Sequence, residues 1–207
     1  MHTLQFVILG YLSGSILFAR LFARLHGVED KMIAESPDHN PGAFNAFAYG
    51  GILCGTATVL ADLLKGILPV WLYLKTGGDP TGMGLALVLA APVVGHIFPA
   101  FYSFRGGKGI LCSGTLLLLL DWRIAAVGWG LFLILWLTTR YVSLGSVTGA
   151  VSFPITTAIF YWGSWAVVAL SVLIAGLVVW AHRANIGRLL RGTESKFRWH
   201  KNAPGQP

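Results

Sequence analysis

The sequence predicts an all-α integral membrane protein, a bundle of seven transmembrane helices with its N-terminus outside and its C-terminus in the cytoplasm. Three observations predict it. Of 207 residues, 55% are hydrophobic and only 11% charged, against roughly 25% charged in an ordinary soluble domain. So few ionisable side chains cannot cover a water-exposed surface of this size, whereas a lipid-facing one needs few. The apolar residues are gathered into runs approaching the ~20 residues that cross about 30 Å of hydrocarbon. When these runs are threaded back and forth, the basic residues collect on one side. The two cysteines, Cys54 and Cys112, lie inside apolar runs, which excludes a secreted disulfide scaffold. The formal charge of +7 is spread along a lipophilic chain and forms no basic patch beside stacking aromatics, so no nucleic-acid partner is expected.

In chain order the runs are Leu4 to Leu25, Ile52 to Leu74, Gly82 to Phe101, Ile110 to Leu120, Ile124 to Thr138, Val142 to Phe160 and Trp165 to Ala181. The first opens without a basic segment and carries Arg20 and Arg24 at its far end, so it reads as a span, not a cleaved leader. The fourth and fifth are short and flank Asp121-Trp122-Arg123. Charge decides whether they are one span or two. Seven spans place twelve basic residues inside (Arg20, Arg24, Lys31, Arg105, Lys108, Arg140, Arg183, Arg188, Arg191, Lys196, Arg198 and Lys201) and two, Lys75 and Arg123, outside, as the positive-inside rule requires. Merging the short runs reduces that bias to eight against five and buries two charges at about 2.5 to 3.5 kcal/mol each. Many of the glycines lie within runs, as Gly10, Gly14, Gly128, Gly145 and Gly149 do, where small residues let helices approach closely in lipid. Residues 1–191 form one membrane domain, followed by a polar cytoplasmic tail, 192–207, expected at the surface.

An odd span count puts the loops after spans one, three, five and seven on the same cytoplasmic face, and the unusual polar motifs all fall there. Arg105-Gly106-Gly107-Lys108-Gly109 leads into the fourth span. Amides at a helix N-terminus, backbone made approachable by glycine, and an adjacent cation attract phosphate; the alternative is a tight turn with topogenic cations. In Ser36-Pro-Asp-His-Asn-Pro-Gly-Ala-Phe-Asn45, Asn40, Gly42 and Asn45 are candidates for a polar pocket, and His39 beside Asp38 for a base with an acidic neighbour. The same composition also suits a surface or re-entrant loop ordered by Asx turns. Ser143 and Ser146 are three apart at the start of span six, where helix capping is the default for Ser143. His182 and Asn185 share a helical face at the end of span seven, with an interfacial histidine and a helix-ending asparagine as the alternatives. Asp62 and Lys65, three apart at membrane depth, suit a structural ion pair facing the bundle, and functional use stays open. His96 can hydrogen-bond inward beside the glycine-rich turn. No metal-ligand spacing and no nucleophile elbow is present.

With these motifs in view, Gly95-His-Ile-Phe-Pro-Ala-Phe-Tyr-Ser-Phe-Arg-Gly-Gly-Lys-Gly109 resembles the PlsY-type family, the bacterial acyl-phosphate:glycerol-3-phosphate acyltransferases. The resemblance extends through Asp62-Leu-Leu-Lys-Gly66, Arg140-Tyr-Val-Ser-Leu-Gly-Ser146 and His182-Arg-Ala-Asn-Ile-Gly-Arg-Leu-Leu190. It implies a multi-pass enzyme of the bacterial inner membrane, without cofactor or metal, that moves a fatty acyl group from acyl phosphate to the 1-hydroxyl of glycerol 3-phosphate. The product is lysophosphatidic acid, for phospholipid biosynthesis. Membrane lipids and an enzyme supplying acyl phosphate are the implied partners. An acyl phosphate is an activated anhydride, so positioning and charge neutralisation suffice without a Ser or Cys nucleophile. The resemblance assigns catalysis to Lys108, Ser146, His182 and Asn185. Lys108, the glycines around it and Ser146 hold phosphate, and His182 with Asn185 contacts the glycerol phosphate. Asn40, Gly42, Ala43 and Asn45 match the family's Asn-x-Gly-Ala-x-Asn element. Arg105, Gly106, Gly107, Gly109 and Ser143 complete the expected binding set.

Two departures stand out. Pro37-Asp38-His39 replaces the family's Gly-Ser-Gly, and Ala48 stands where the family carries an arginine. A hydrogen bond to a charged group is worth about 1.5 to 3 kcal/mol, so losing two weakens a dianionic substrate by several powers of ten. Either a protonated His39 and Arg105 compensate, or the acceptor differs, or the chain is a paralogue with reduced catalysis or a non-catalytic lipid-binding regulator. A small transporter using Asp62 and Lys65 is a further alternative.

Overall fold

A computed structural model describes residues 2–197; Met1 and the part of the expected tail from residue 198 on, including Arg198 and Lys201, lie outside the described residues. Every apolar run is helical, and no strand occurs among the described residues. The first run is two helices, α1 (His2–Gly14) and α2 (Phe18–Leu25), where the sequence reads one. Competing polar bonds break it. Ser15 Oγ donates to Tyr11 O at 2.8 Å and accepts the Ala100 N–H at 3.1 Å, while Ile16 O accepts from the Lys65 ammonium at 2.7 Å. Side-chain bonds of this kind draw backbone groups out of the helical ladder. The short α3 (Glu29–Glu35) is tied to α2 by Glu29, which accepts from Arg20 Nε at 2.7 Å and Arg24 Nε at 2.6 Å.

Helix α4 (Ala43–Lys75) begins well before the apolar run and is interrupted at Gly51, whose φ of 77° suits glycine. The interruption leaves 43–50 as a separate segment that carries Asn45 toward the polar end of the bundle. Helix α5 (Met83–Ile97) is followed, past Pro99, by a 3-10 turn at Ala100–Tyr102. Helices α6 (Ile110–Leu120) and α7 (Trp122–Thr139) are separate, as the charge count requires. Asp121 caps α7 by accepting the Arg123 N–H at 2.8 Å and pairs with the Arg123 side chain at 2.7 Å. Then follow α8 (Val142–Phe160), α9 (Trp165–Ala181) and α10 (Arg183–Leu190), the last bent 62° from α9.

Helix α5 is the hub. Its Val88, Leu89 and Val93 join Leu116, Ile124, Phe153, Ile174 and Val178 in the buried core. Close approach depends on glycine: a Cβ on Gly14 would overlap Pro92, and one on Gly149 would lie 2.9 Å from Gly128 O. Leu53, Leu64, Ile134, Leu137 and Ile159 are exposed around the outside, the arrangement expected of a lipid-facing surface. Five segments are long and apolar enough to cross a membrane, and the bent pair α9–α10 makes a sixth. Helix α6, with 11 residues, is about 16 Å long at 1.5 Å per residue, roughly half the hydrocarbon thickness.

Candidate active site

The four polar motifs converge on one cavity of about 1080 Å³. Its wall includes Lys108, Ser146, His182, Asn185, Asn40, Gly42, Asn45, Gly109 and Ser143. Arg105, Gly106 and Gly107, also expected in the binding set, are not part of that wall.

The glycine-rich turn works differently from the sequence expectation. The Gly106 N–H donates to Ile97 O at 3.2 Å and the Gly107 N–H to His96 O at 3.0 Å, so these two amides are already used inside the protein. Their glycines are required for space: a Cβ on Gly106 would overlap the His96 carbonyl, and one on Gly107 would overlap its ring. Gly109, at φ 76°, turns the chain into α6. The groups of this turn able to meet an anion are therefore Lys108, on the cavity wall, and the first-turn amides of α6. Arg105 is exposed. Behind the turn, His96 Nδ1 lies 2.8 Å from Lys65 Nζ, which pairs with Asp62 at 2.7 Å, and Asp62 and His96 reach the cavity wall. The ion pair expected from spacing is present, and it braces the turn through His96.

In the loop before α4, Asp38 is the hub. Its Oδ2 pairs with Lys108, and its Oδ1 accepts from Asn45 Nδ2 at 3.1 Å and from the Asn40 N–H at 3.3 Å. Burial pushes this carboxyl's pKa up, but the Lys108 charge and hydrogen bond, with those from Asn45 and Asn40, outweigh it and hold it below the usual value. His39 turns away, at φ 49°, with Nδ1 2.7 Å from Ile33 O. The base with an acidic neighbour is thus not assembled. Neither His39 nor Arg105 brings a cation to the cavity, and Ala48 lines it where a longer side chain could have.

At the far wall, Ser143 lies inside α8 and is not its cap. Its Oγ donates to Glu194 Oε1 at 2.6 Å; Asn185 Nδ2 donates to the same oxygen at 2.7 Å, and Arg188 Nε to Oε2 at 2.6 Å. Burial raises the Glu194 carboxyl's pKa, and these donors more than reverse it. Asn185 does not end a helix: it is buried in α10, and its Oδ1 has no hydrogen-bond partner among the described residues. His182 is 2% exposed at the α9–α10 bend, with Nδ1 2.8 Å from Val178 O. A carbonyl only accepts, so Nδ1 carries the proton and Nε2 is left as an acceptor. Ser146 is buried nearby on α8.

Sequence reasoning missed Glu194, which lies beyond the Gly192 boundary in what reads as a tail. Its segment folds back: the Phe197 N–H donates to Arg140 O at 2.9 Å, and the Phe197 ring meets Phe44 at 5.1 Å and Trp136 at 6.0 Å. The cavity continues between Leu117, Phe132, Leu133, Trp136, Phe153 and Ile174, an apolar and aromatic groove. No group of three or more His, Cys, Asp or Glu side chains is placed to hold a metal among the described residues.

A lysine at a helix N-terminus, a polar wall opposite it and an apolar groove behind define a membrane protein with one amphiphilic cavity, polar at one end and apolar at the other. The comparisons make this particular: the chain belongs to the glycerol-3-phosphate acyltransferase family, whose model matches residues 4–192. The glycerol-3-phosphate acyltransferase of Syntrophomonas wolfei is 38% identical over 199 residues, covering 95% of this chain and 98% of that one. That of Desulfovibrio desulfuricans is 36% identical, with 98% and 88% covered. Two crystal structures of PlsY (YgiH), an integral membrane glycerol 3-phosphate acyltransferase, are 31% identical over 96% of both chains. The lysophosphatidic acid form has a TM-score of 0.84 and the glycerol 3-phosphate form 0.86. This chain is accordingly a multi-pass membrane enzyme.

Proposed function

We propose that this enzyme transfers a fatty acyl group from acyl phosphate to the 1-hydroxyl of glycerol 3-phosphate, giving lysophosphatidic acid and inorganic phosphate. It does so in the bacterial inner membrane, crossing it seven times with the N-terminus outside and the site on the cytoplasmic side. The carrying observation is that Lys108, at the start of α6, shares one cavity with His182 and Asn185 and with an apolar groove. The groove takes the acyl chain, and Lys108 with the α6 amides takes the phosphoryl group. The glycerol hydroxyl attacks the acyl carbon, the new ester C–O bond forms, and the bond to phosphate breaks. His182 Nε2 accepts the hydroxyl proton, which ends on the departing phosphate, and Asn185 Oδ1 accepts from the neighbouring hydroxyl. Lys108 neutralises the charge that develops on the leaving group, the kind of contribution worth about 10²–10³ in rate. Because the donor is already activated, no acyl-enzyme is needed.

The test is direct. Membranes containing the protein, given acyl phosphate and labelled glycerol 3-phosphate, form labelled lysophosphatidic acid. An absence of product while a working family member turns over beside it sinks the proposal. Cysteine labelling from the two sides of the membrane checks the topology: positions 108 and 182 react from the same side.

A further inference from the structure

Among the described residues four lysine and arginine side chains line the cavity, and they are not equivalent. Arg188 is paired with Glu194 and Lys108 with Asp38, whereas Lys31 and Lys196 are exposed at its edge. The partner of Lys108 is not a loose surface carboxylate. Asp38 is largely buried, and its second oxygen is fixed by Asn45 Nδ2 and the Asn40 N–H, so it cannot swing off the ammonium without giving up those bonds. A lysine has three donors, so an incoming phosphate oxygen can use another N–H of Nζ while Asp38 keeps its own. The phosphate then sits within a few ångströms of a fixed negative charge, where like charges repel strongly in a partly desolvated site.

We propose that Asp38 determines the affinity of this site: it is a built-in carboxylate that shares Lys108 with the phosphoryl group, loosens the hold on dianionic phosphate and so promotes release of the inorganic phosphate product. The proposal rests on the preceding one in placing phosphate at Lys108, and goes beyond it in giving Asp38 a part in turnover. The pair thus lets Lys108 serve the transition state, where charge moves onto the leaving oxygen, without retaining the dianion afterwards.

The experiment uses the full-length enzyme in detergent and measures inhibition by inorganic phosphate and by dimethyl phosphate, a tetrahedral monoanion. The variants are Asp38→Asn, Asp38→Ser and Lys108→Ala. Asn keeps the shape and the bond from Asn45, and removes the charge together with the hydrogen bond to Lys108, because an NH2 group then stands where Oδ2 accepted; Ser also shortens the side chain. Both Asp38 variants are expected to bind inorganic phosphate at least about tenfold more tightly, or 1.4 kcal/mol, with a parallel fall in KM for acyl phosphate. Dimethyl phosphate is expected to shift much less. Unchanged or weaker phosphate inhibition in both variants overturns the proposal, as does an equal gain for the monoanion and the dianion. Phosphate binding is measured separately on Lys108→Ala, by calorimetry. If that variant binds phosphate as the unaltered enzyme does, the phosphate assignment itself fails, a result distinct from failure of the role given to Asp38.

Discussion

The bundle holds two Asp–Lys pairs in opposite surroundings. Asp62 and Lys65 are three residues apart on one helix, both side chains about 2% exposed, and Lys65 also reaches Ile16 O and His96 Nδ1. Asp38 and Lys108 are 70 residues apart in sequence, 17% and 14% exposed, and face the cavity. In the first pair the ammonium is saturated by Asp62, Ile16 O and His96, and it staples the broken α1–α2 segment to α4 and α5. The second is open on one side, so a ligand can reach the same ammonium. The same two residue types therefore serve as a brace in one place and, on the function proposed above, as a binding group in the other. What differs is whether the protein fills the remaining positions around the ammonium or leaves them facing the cavity.

That contrast can be broken at either pair. Lys108→Ala is expected to lower acyl transfer by about 10³-fold, the upper end for loss of a preorganised charge contact. Wild-type turnover in the labelled-product assay would falsify the assignment. Asp62→Asn does the reverse: it leaves Lys65 buried without its counter-charge, an operation that costs about 3–5 kcal/mol in protein interiors. The expected result is a large drop in thermal stability in detergent; an unchanged melting curve contradicts the brace. Glu194→Gln removes charge from the oxygens that hold Ser143, Asn185 and Arg188. About 1–3 kcal/mol is expected from weakened charge-assisted bonds, read as a raised KM for glycerol 3-phosphate together with lower stability. A KM equal to wild type argues that Glu194 does not position Asn185.

The smallest effect is a pH dependence. Because Lys108, Asn45 and Asn40 together hold the Asp38 carboxyl below its ordinary value of 3.8 despite burial, its ionised form favours the folded state. That contribution is fully present above the ordinary value and disappears as the pH falls through the lowered one. The difference in melting temperature between wild type and Asp38→Asn should stay constant from pH 7 to about pH 5 and narrow only below pH 3.8. A difference that changes between pH 7 and pH 5 would show that another group is responsible.

Some elements could be read directly. The runs Ile110 to Leu120, Val142 to Phe160 and Trp165 to Ala181 are helices over those same residues. Lipid admits an apolar backbone segment only with its hydrogen bonds closed internally. The separation of α6 from α7 was legible from Asp121 and Arg123, whose charges mark a turn. The break at Ser15 was not, because residues 15–17 are as compatible with a helix as their neighbours, and the bonds that break it come from Lys65 and Ala100. The motif residues of the site could be located. Their division of labour could not: the Gly106 and Gly107 amides are used inside the protein and their missing side chains make room for His96, and Asp38, read as the acidic neighbour of His39, pairs with Lys108 instead. Glu194, where the family resemblance ends, was given no role, since a glutamate in a polar stretch just past Gly192 looks like tail.

Composition and the spacing of apolar runs determined that this chain is a membrane-embedded helical bundle with its chemistry in a few polar loops, because transfer into hydrocarbon is a local property that each segment carries by itself. Only the tertiary structure decided which polar groups meet. Asp38 with Lys108, and Glu194 with Ser143 and Asn185, are joined by the way glycine-seamed helices stack, and that geometry has no signature in the spacing of residues along the chain.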